Sequence, residues 1–158
     1  MSATLADTVI QSIDWSAYEL LGGPADGFGD QLAAFITVDA DNYKKRWKTM
    51  ENHVFAQDDI YSAAEPTIRV LLAALLDPRG RSARIGILDL LFLITQAASY
   101  REDEFGARCL QLVREGSWLL IREALASAPP VSDACLEVLD ICAPECADIA
   151  RLGALVDV

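Results

Sequence analysis

Few residues in this chain are equipped for chemistry, and their spacing argues against most of it. His53 is the single histidine and lies near Glu51, Asp58 and Asp59, where an imidazole could act as a general base because its ordinary pKa is close to neutrality. No serine or cysteine stands at a recognisable nucleophile spacing from it, so His53 reads as a structural or surface histidine. Cys135, Cys142 and Cys146 fall at i, i+7 and i+11, which on one continuous helix would align three soft metal ligands. Pro144 interrupts that helix, zinc needs a fourth ligand, and there is no CxxC pair, so these thiols and Cys109 read as packed apolar side chains. Neither a metal nor any other cofactor is expected. Glu102-Asp103-Glu104 resembles a paired acid and base, but at a helix N-terminus negative charge complements the macrodipole. Lys44-Lys45-Arg46-Lys48 could meet phosphate, yet reads more simply as a solvated face. With no Gly-rich phosphate loop, no HExxH and no Gly-x-Ser-x-Gly, no catalytic residue is assigned and the chain is expected not to be an enzyme.

The elements that would position these residues are helical throughout. Gly and Pro punctuate a series of short helical patterns, and no window shows the sustained alternation of a half-buried strand. A first helix is expected within residues 3–12. Asp14 then looks like the cap of a short helix carrying Trp15, Tyr18 and Leu21, stopped by Gly22-Gly23-Pro24. Phe28, Leu32, Phe35 and Ile36 mark the next, which ends near Asp39. Asp41 caps a third with Tyr43, Trp47, Met50 and Val54 on one stripe and Lys44, Lys45 and Lys48 outward. Pro66 suits the first turn of a helix that runs through Leu71, Leu72, Leu75 and Leu76 to Asp77-Pro78. Residues 81–98 are apolar around nearly the whole circumference, which predicts the central, buried helix. Residues 104–127 form one helix or two, depending on Gly116. Two short helices follow Pro129-Pro130, divided at Pro144.

About eight helices with short connections suit either a compact helical bundle or antiparallel pairs stacked as an α-solenoid. Breaks near residues 23, 40, 59, 79, 101, 129 and 144 space the pairs about 35–45 residues apart, the period of HEAT and armadillo units. The expectation is an all-α, HEAT/armadillo-like solenoid forming a single domain over residues 1–158.

Charge and hydropathy restrict the partners. The formal charge is −11, and both ends are acidic. Residues 1–43 hold seven carboxylates and no Lys or Arg, and residues 131–158 hold six against Arg151 alone. Such a field repels nucleic acid and anionic lipid and steers a basic protein partner inward. The uncharged stretch after Asp89 is only 11 residues, short of the ~20 needed to span a bilayer. The N-terminus lacks a basic n-region and an apolar h-region. These readings predict a cytoplasmic protein that binds neither nucleic acid nor membrane.

One segment resembles a known family. Trp15-x-x-Tyr18, a Gly-Pro-Ala turn, two helices around an Asp-rich break, and then His53, Tyr61-x-Ala63-Ala64-x-Pro66 and Leu71-Leu72-x-x-Leu75 resemble the HEAT-like proteins found beside bacterial polymorphic toxins. There the corresponding pattern is His-x-Gly-x-x-Tyr-x-Ala-x-x-Pro followed by Leu-rich helices; here seven residues separate His53 from Tyr61 and the glycine is absent. The match covers about residues 14–97. The resemblance implies an α-solenoid serving as an immunity protein or antitoxin, one that binds and neutralises a cognate toxin domain, with no catalytic residue carried over. The alternative is a non-catalytic helical scaffold or interaction module, monomeric or homodimeric. For a basic toxin domain, the expected contacts are the acidic breaks: Asp39 and Asp41, Asp58 and Asp59, and Glu102, Asp103 and Glu104.

Overall fold

Thr4 begins the helical part of the chain. In the computed structural model, which describes residues 2–156, its Oγ1 accepts the Asp7 N–H at 3.1 Å while the Asp7 carboxylate accepts the Thr4 N–H at 3.1 Å. This reciprocal cap satisfies two donors at a helix end and starts α1 (Leu5–Ser12).

The helix expected next does not form. Asp14 caps only the single 3-10 turn Trp15–Ala17, after which β1 (Glu19–Leu20) pairs antiparallel with β2 (Gly23–Pro24). Gly22 at φ 93° and Gly23 at φ 146° supply backbone conformations that side chains disfavour, and so they reverse the chain rather than merely ending a helix. The hairpin is held from elsewhere: the Leu21 N–H donates to the His53 carbonyl at 2.8 Å, and the Ala63 N–H to the Glu19 carbonyl at 3.0 Å.

The next apolar pattern becomes α2 (Phe28–Phe35), and Phe28, Leu32, Phe35 and Ile36 are all buried. The third breaks up. Only Tyr43–Trp47 forms a helix, α3, and the chain then turns through Asn52 at φ 60° into a second hairpin, β3 (Phe55–Ala56) on β4 (Asp59–Ile60). Met50 and Val54 are nonetheless fully buried, so their spacing reported burial correctly and helix length wrongly. Trp47 stacks on Tyr43 with ring centres 6.0 Å apart and tilts against Phe35 at 6.0 Å and Phe55 at 5.8 Å. Lys44, Lys45 and Lys48 face solvent as expected.

From α4 (Ala64–Leu76) onward the described residues are helical apart from short connections. Pro66 occupies the first turn of α4, where its missing N–H has no intrahelical partner to lose. α5 (Arg81–Tyr100) buries Ile87, Leu88, Leu90, Leu91 and Ile94. It packs against α2, α3, α4, α6 (Glu104–Glu115), α8 (Val131–Cys142) and β4, the central position its apolar circumference predicts. Asp89 is the exception on that circumference, and the Tyr43 hydroxyl donates to it at 3.0 Å. Burial raises the Asp89 pKa, with the Tyr43 hydrogen bond acting in the opposite direction. Gly116 divides α6 from α7 (Ser117–Ala126), and α9 (Pro144–Val156) follows α8. One cluster of buried side chains runs from Ala6 to Ala150. By length and composition α5 is the one helix among the described residues able to cross a membrane, but 56% of its most apolar window is buried within the fold. The molecule is therefore mainly helical, with two short hairpins that the sequence pattern did not announce.

Candidate partner-binding site

Arg101 follows the last turn of α5 and reaches carboxylates from two distant parts of the chain. Its Nη1 donates to Asp59 Oδ1 at 2.5 Å, its Nη2 to Asp103 Oδ2 at 2.6 Å, and its Nε to Asp103 Oδ1 at 3.1 Å. The Phe105 ring lies beneath it, 5.0 Å from the guanidinium carbon, within cation–π range. Asp103 also caps α6 by accepting the Gly106 N–H at 2.9 Å. The Arg101 hydrogen bond, and after it the Gly106 N–H, hold the Asp103 carboxyl below the usual carboxylate range. A Cβ at Gly106 would lie 2.7 Å from Arg101 Cβ and 2.8 Å from the Ala98 carbonyl oxygen. Glycine is what allows the α5–α6 turn to close so tightly around Arg101.

A pocket of about 730 Å³ opens beside this arginine. The turn of the first hairpin contributes Leu21, the second contributes Gln57, Asp58 and Asp59, and Tyr61 and Tyr100 add aromatic lining. Tyr100 is 60% exposed. Asn52 and Gln57, the two non-glycine residues with left-handed backbone (φ 60° and 53°) among the described residues, both line this pocket. Conformations of that kind carry a steric penalty and concentrate at functional surfaces. The pocket therefore joins acid, phenol and hydrogen-bonding amide groups on a surface tied together by Arg101, a lining suited to a cationic side chain with an apolar stem.

No family model, curated protein or solved structure matches this chain. Geometry alone sorts the candidate residues. Arg101 brings Asp59 and Asp103 together at the C-terminal end of α5, linking the second hairpin to the α5–α6 turn, with Asp58, Glu102 and Glu104 next to them along the chain. Asp39 and Asp41 do not join them. Asp39 caps its own loop, accepting the Asn42 N–H at 2.9 Å and the Asn42 side-chain amide at 2.8 Å; these hydrogen bonds hold its carboxyl below the usual range. It lines a separate depression of about 440 Å³ with Arg79, Gly80 and Arg81, at the other end of α5. A helix of 20 residues places those ends about 30 Å apart at 1.5 Å per residue. The acidic breaks thus form two groups, one at each end of α5.

Arg101, Tyr100 and Leu21 join this site beyond the residues expected from the charge runs. Arg101 had a signal, since it immediately precedes the acidic run at 102–104, whereas nothing local to Leu21 indicates that a hairpin carries it to the pocket. The half-buried His53 sits close by, with Nδ1 2.9 Å from the Glu51 carbonyl oxygen, an acceptor that leaves the proton of this hydrogen bond on the ring. Burial pushes the Cys109 and Cys135 thiols up to about 12 and Cys142 up to about 11, which suppresses the reactive thiolate. Among the described residues no group of three or more His, Cys, Asp or Glu is arranged to hold a metal ion.

Proposed function

We propose that this protein is an immunity-type protein or antitoxin that binds and neutralises a basic domain of a cognate bacterial toxin, using the face at the C-terminal end of α5. The observation that carries this reading is that Arg101 draws Asp59 and Asp103 together beside one open pocket lined by Asp58, Asp59, Tyr61 and Tyr100. A cationic side chain of the partner entering this pocket would meet Asp58, while the −11 charge accelerates encounter. The resemblance of residues 14–97 to HEAT-like proteins encoded beside polymorphic toxins agrees with it.

A HEAT-like stacking belongs to the same proposal. Support comes from the order of contacts: α1 meets α4, α4 meets α7 and α7 meets α9, while α2 and α3 meet α5 and α5 meets α8. Contacts in this order are what two helical layers built from successive pairs would make. Helices α4, α6 and α9 begin at Ala64, Glu104 and Pro144, a repeat of about forty residues that falls in the HEAT range.

The test is co-purification with the product of the neighbouring reading frame, together with rescue of that product's toxicity. Asp58→Lys and Tyr100→Ala should each weaken capture by at least tenfold, about 1.4 kcal/mol, and the Asp58 effect should shrink at high salt. Failure of the wild-type protein to capture or to rescue would overturn the proposal.

A further inference from the structure

The α7–α9 face is apolar and uncovered by any described residue. Trp118 is 71% exposed, Leu152 63% and Leu155 73%, and Leu125, Ile149 and Val156 are exposed beside them. Ile149, Leu152 and Val156 recur at i, i+3 and i+7, one stripe of α9, while Trp118 and Leu125 are i and i+7 on α7. The two stripes adjoin, because a Cβ at Gly153 of α9 would lie 2.8 Å from Leu125 Cδ2. Together the six side chains leave roughly 700 Å² open, above the few hundred Å² usual for a monomer's largest patch and close to the ~800 Å² each partner contributes to a standard interface.

Charge around the patch indicates the occupant. Glu145 is paired with Arg114, and Arg151 holds Asp140 at 2.7 Å and Asp148 at 3.7 Å. Glu145 and Asp140 are thus matched by short ion pairs, whereas Asp148 lies farther from Arg151. Arg122 lies in the α7 stripe between Trp118 and Leu125, 58% exposed, and its nearest carboxylate, Glu123, is also bound to Arg84. Asp148, 77% exposed, offers the complementary charge on α9. An apolar centre flanked by Arg122 on α7 and Asp148 on α9 is self-complementary under a two-fold axis that sets each against the other copy's opposite charge. We infer that this face pairs with a second copy of the chain, forming a symmetric dimer through α7 and α9.

Sedimentation velocity of the full chain over a concentration series tests this. The wild type should shift from monomer to dimer mass, and Leu152→Glu should remain monomeric with its helical circular dichroism unchanged. Arg122→Glu should weaken the dimer, and combining it with Asp148→Arg should restore it. A wild type that stays monomeric at about 100 µM, a hundredfold above a micromolar Kd, would overturn the inference and leave the face to another protein's apolar helix or to further chain. A Leu152→Glu protein that still dimerises would overturn it equally. Toxin capture through the α5 end is read separately, so either idea can fail while the other stands.

Discussion

Replacing Asp77 with alanine should detach α1 from the helix it packs on. Asp77 closes α4, and its carboxylate accepts the N–H groups of Leu5 and Ala6 at 3.1 Å each, across more than seventy residues of chain. Arg79 donates to the same carboxylate at 3.0 Å, and the two side chains are only 12% and 6% exposed. Burial works against the charged form of Asp77, but the Ala6 and Leu5 N–H groups and Arg79 outweigh it and hold its pKa below the usual carboxylate range. A hydrogen bond to a charged group contributes about 1.5–3 kcal/mol. The Leu5 bond is exposed, so water replaces most of it. With the Ala6 bond and an Arg79 left without its carboxylate, Asp77→Ala should lose about 2–3 kcal/mol. Urea denaturation followed by circular dichroism measures this, and amide exchange should show α1 opening before the rest. The pH dependence has a definite sign. A carboxyl whose folded pKa is depressed below its unfolded value of about 3.9 stabilises fully above that pH and loses its contribution as pH falls through the folded pKa. The gap between wild type and Asp77→Ala should therefore be widest near neutrality and close in acid. A variant within about 0.5 kcal/mol of wild type at pH 7, the range of a neutral surface change, would refute the reasoning.

Glu123→Ala should cost about 2 kcal/mol, because Glu123 is 8% exposed and joins Arg84 of α5 to α7; a melt unchanged from wild type would argue against that link. Gly106→Ala should destabilise by about 1–3 kcal/mol, since the new Cβ meets the Ala98 carbonyl and Arg101 Cβ at under 3 Å. NMR titration of that variant should also show Asp103 moving back toward the ordinary carboxylate pKa as Arg101 is displaced. At pH 8 in native buffer a thiol reagent should spare Cys109, Cys135 and Cys142, whose pKa values burial raises to about 12, 12 and 11. Half-buried Cys146 should react first, and all four should react in denaturant.

Helices carrying a long apolar stripe were legible in the sequence, and the reason is physical. Ile68 to Leu75 and Ile87 to Ile94 carry apolar stripes that must be covered wherever they lie, so the burial of Ile68, Leu71, Leu75, Ile87, Leu88, Leu91 and Ile94 follows from the pattern, whereas Leu76, at the end of α4, is left 52% exposed. Short segments were not legible. Trp15, Tyr18 and Leu21 have helical spacing, but Gly22 and Gly23 offered the chain a reversal, and distant backbone groups at His53 and Ala63 stabilised it. Asn52 likewise cut α3 short while leaving Met50 and Val54 in the core. In the candidate site, the acidic residues were visible as charge runs, whereas their grouping depended on the length of α5 and the reach of Arg101, both tertiary properties. That is why 58–59 and 102–104 converge and Asp39 and Asp41 remain apart.

The hydrogen bond from Tyr43 to Asp89 has a consequence for how the interior is assembled. A cylinder of Ile, Leu and Phe can rotate or slide among greasy neighbours with little change in buried area, which leaves many near-equivalent packings. A half-buried carboxylate on that cylinder, answered by one phenol, reduces the degeneracy together with the Arg84–Glu123 pair: settings of α5 that part these groups lose their hydrogen bonds. The pair works as a key, locking the orientation from which Tyr100 and Arg101 emerge at the far end.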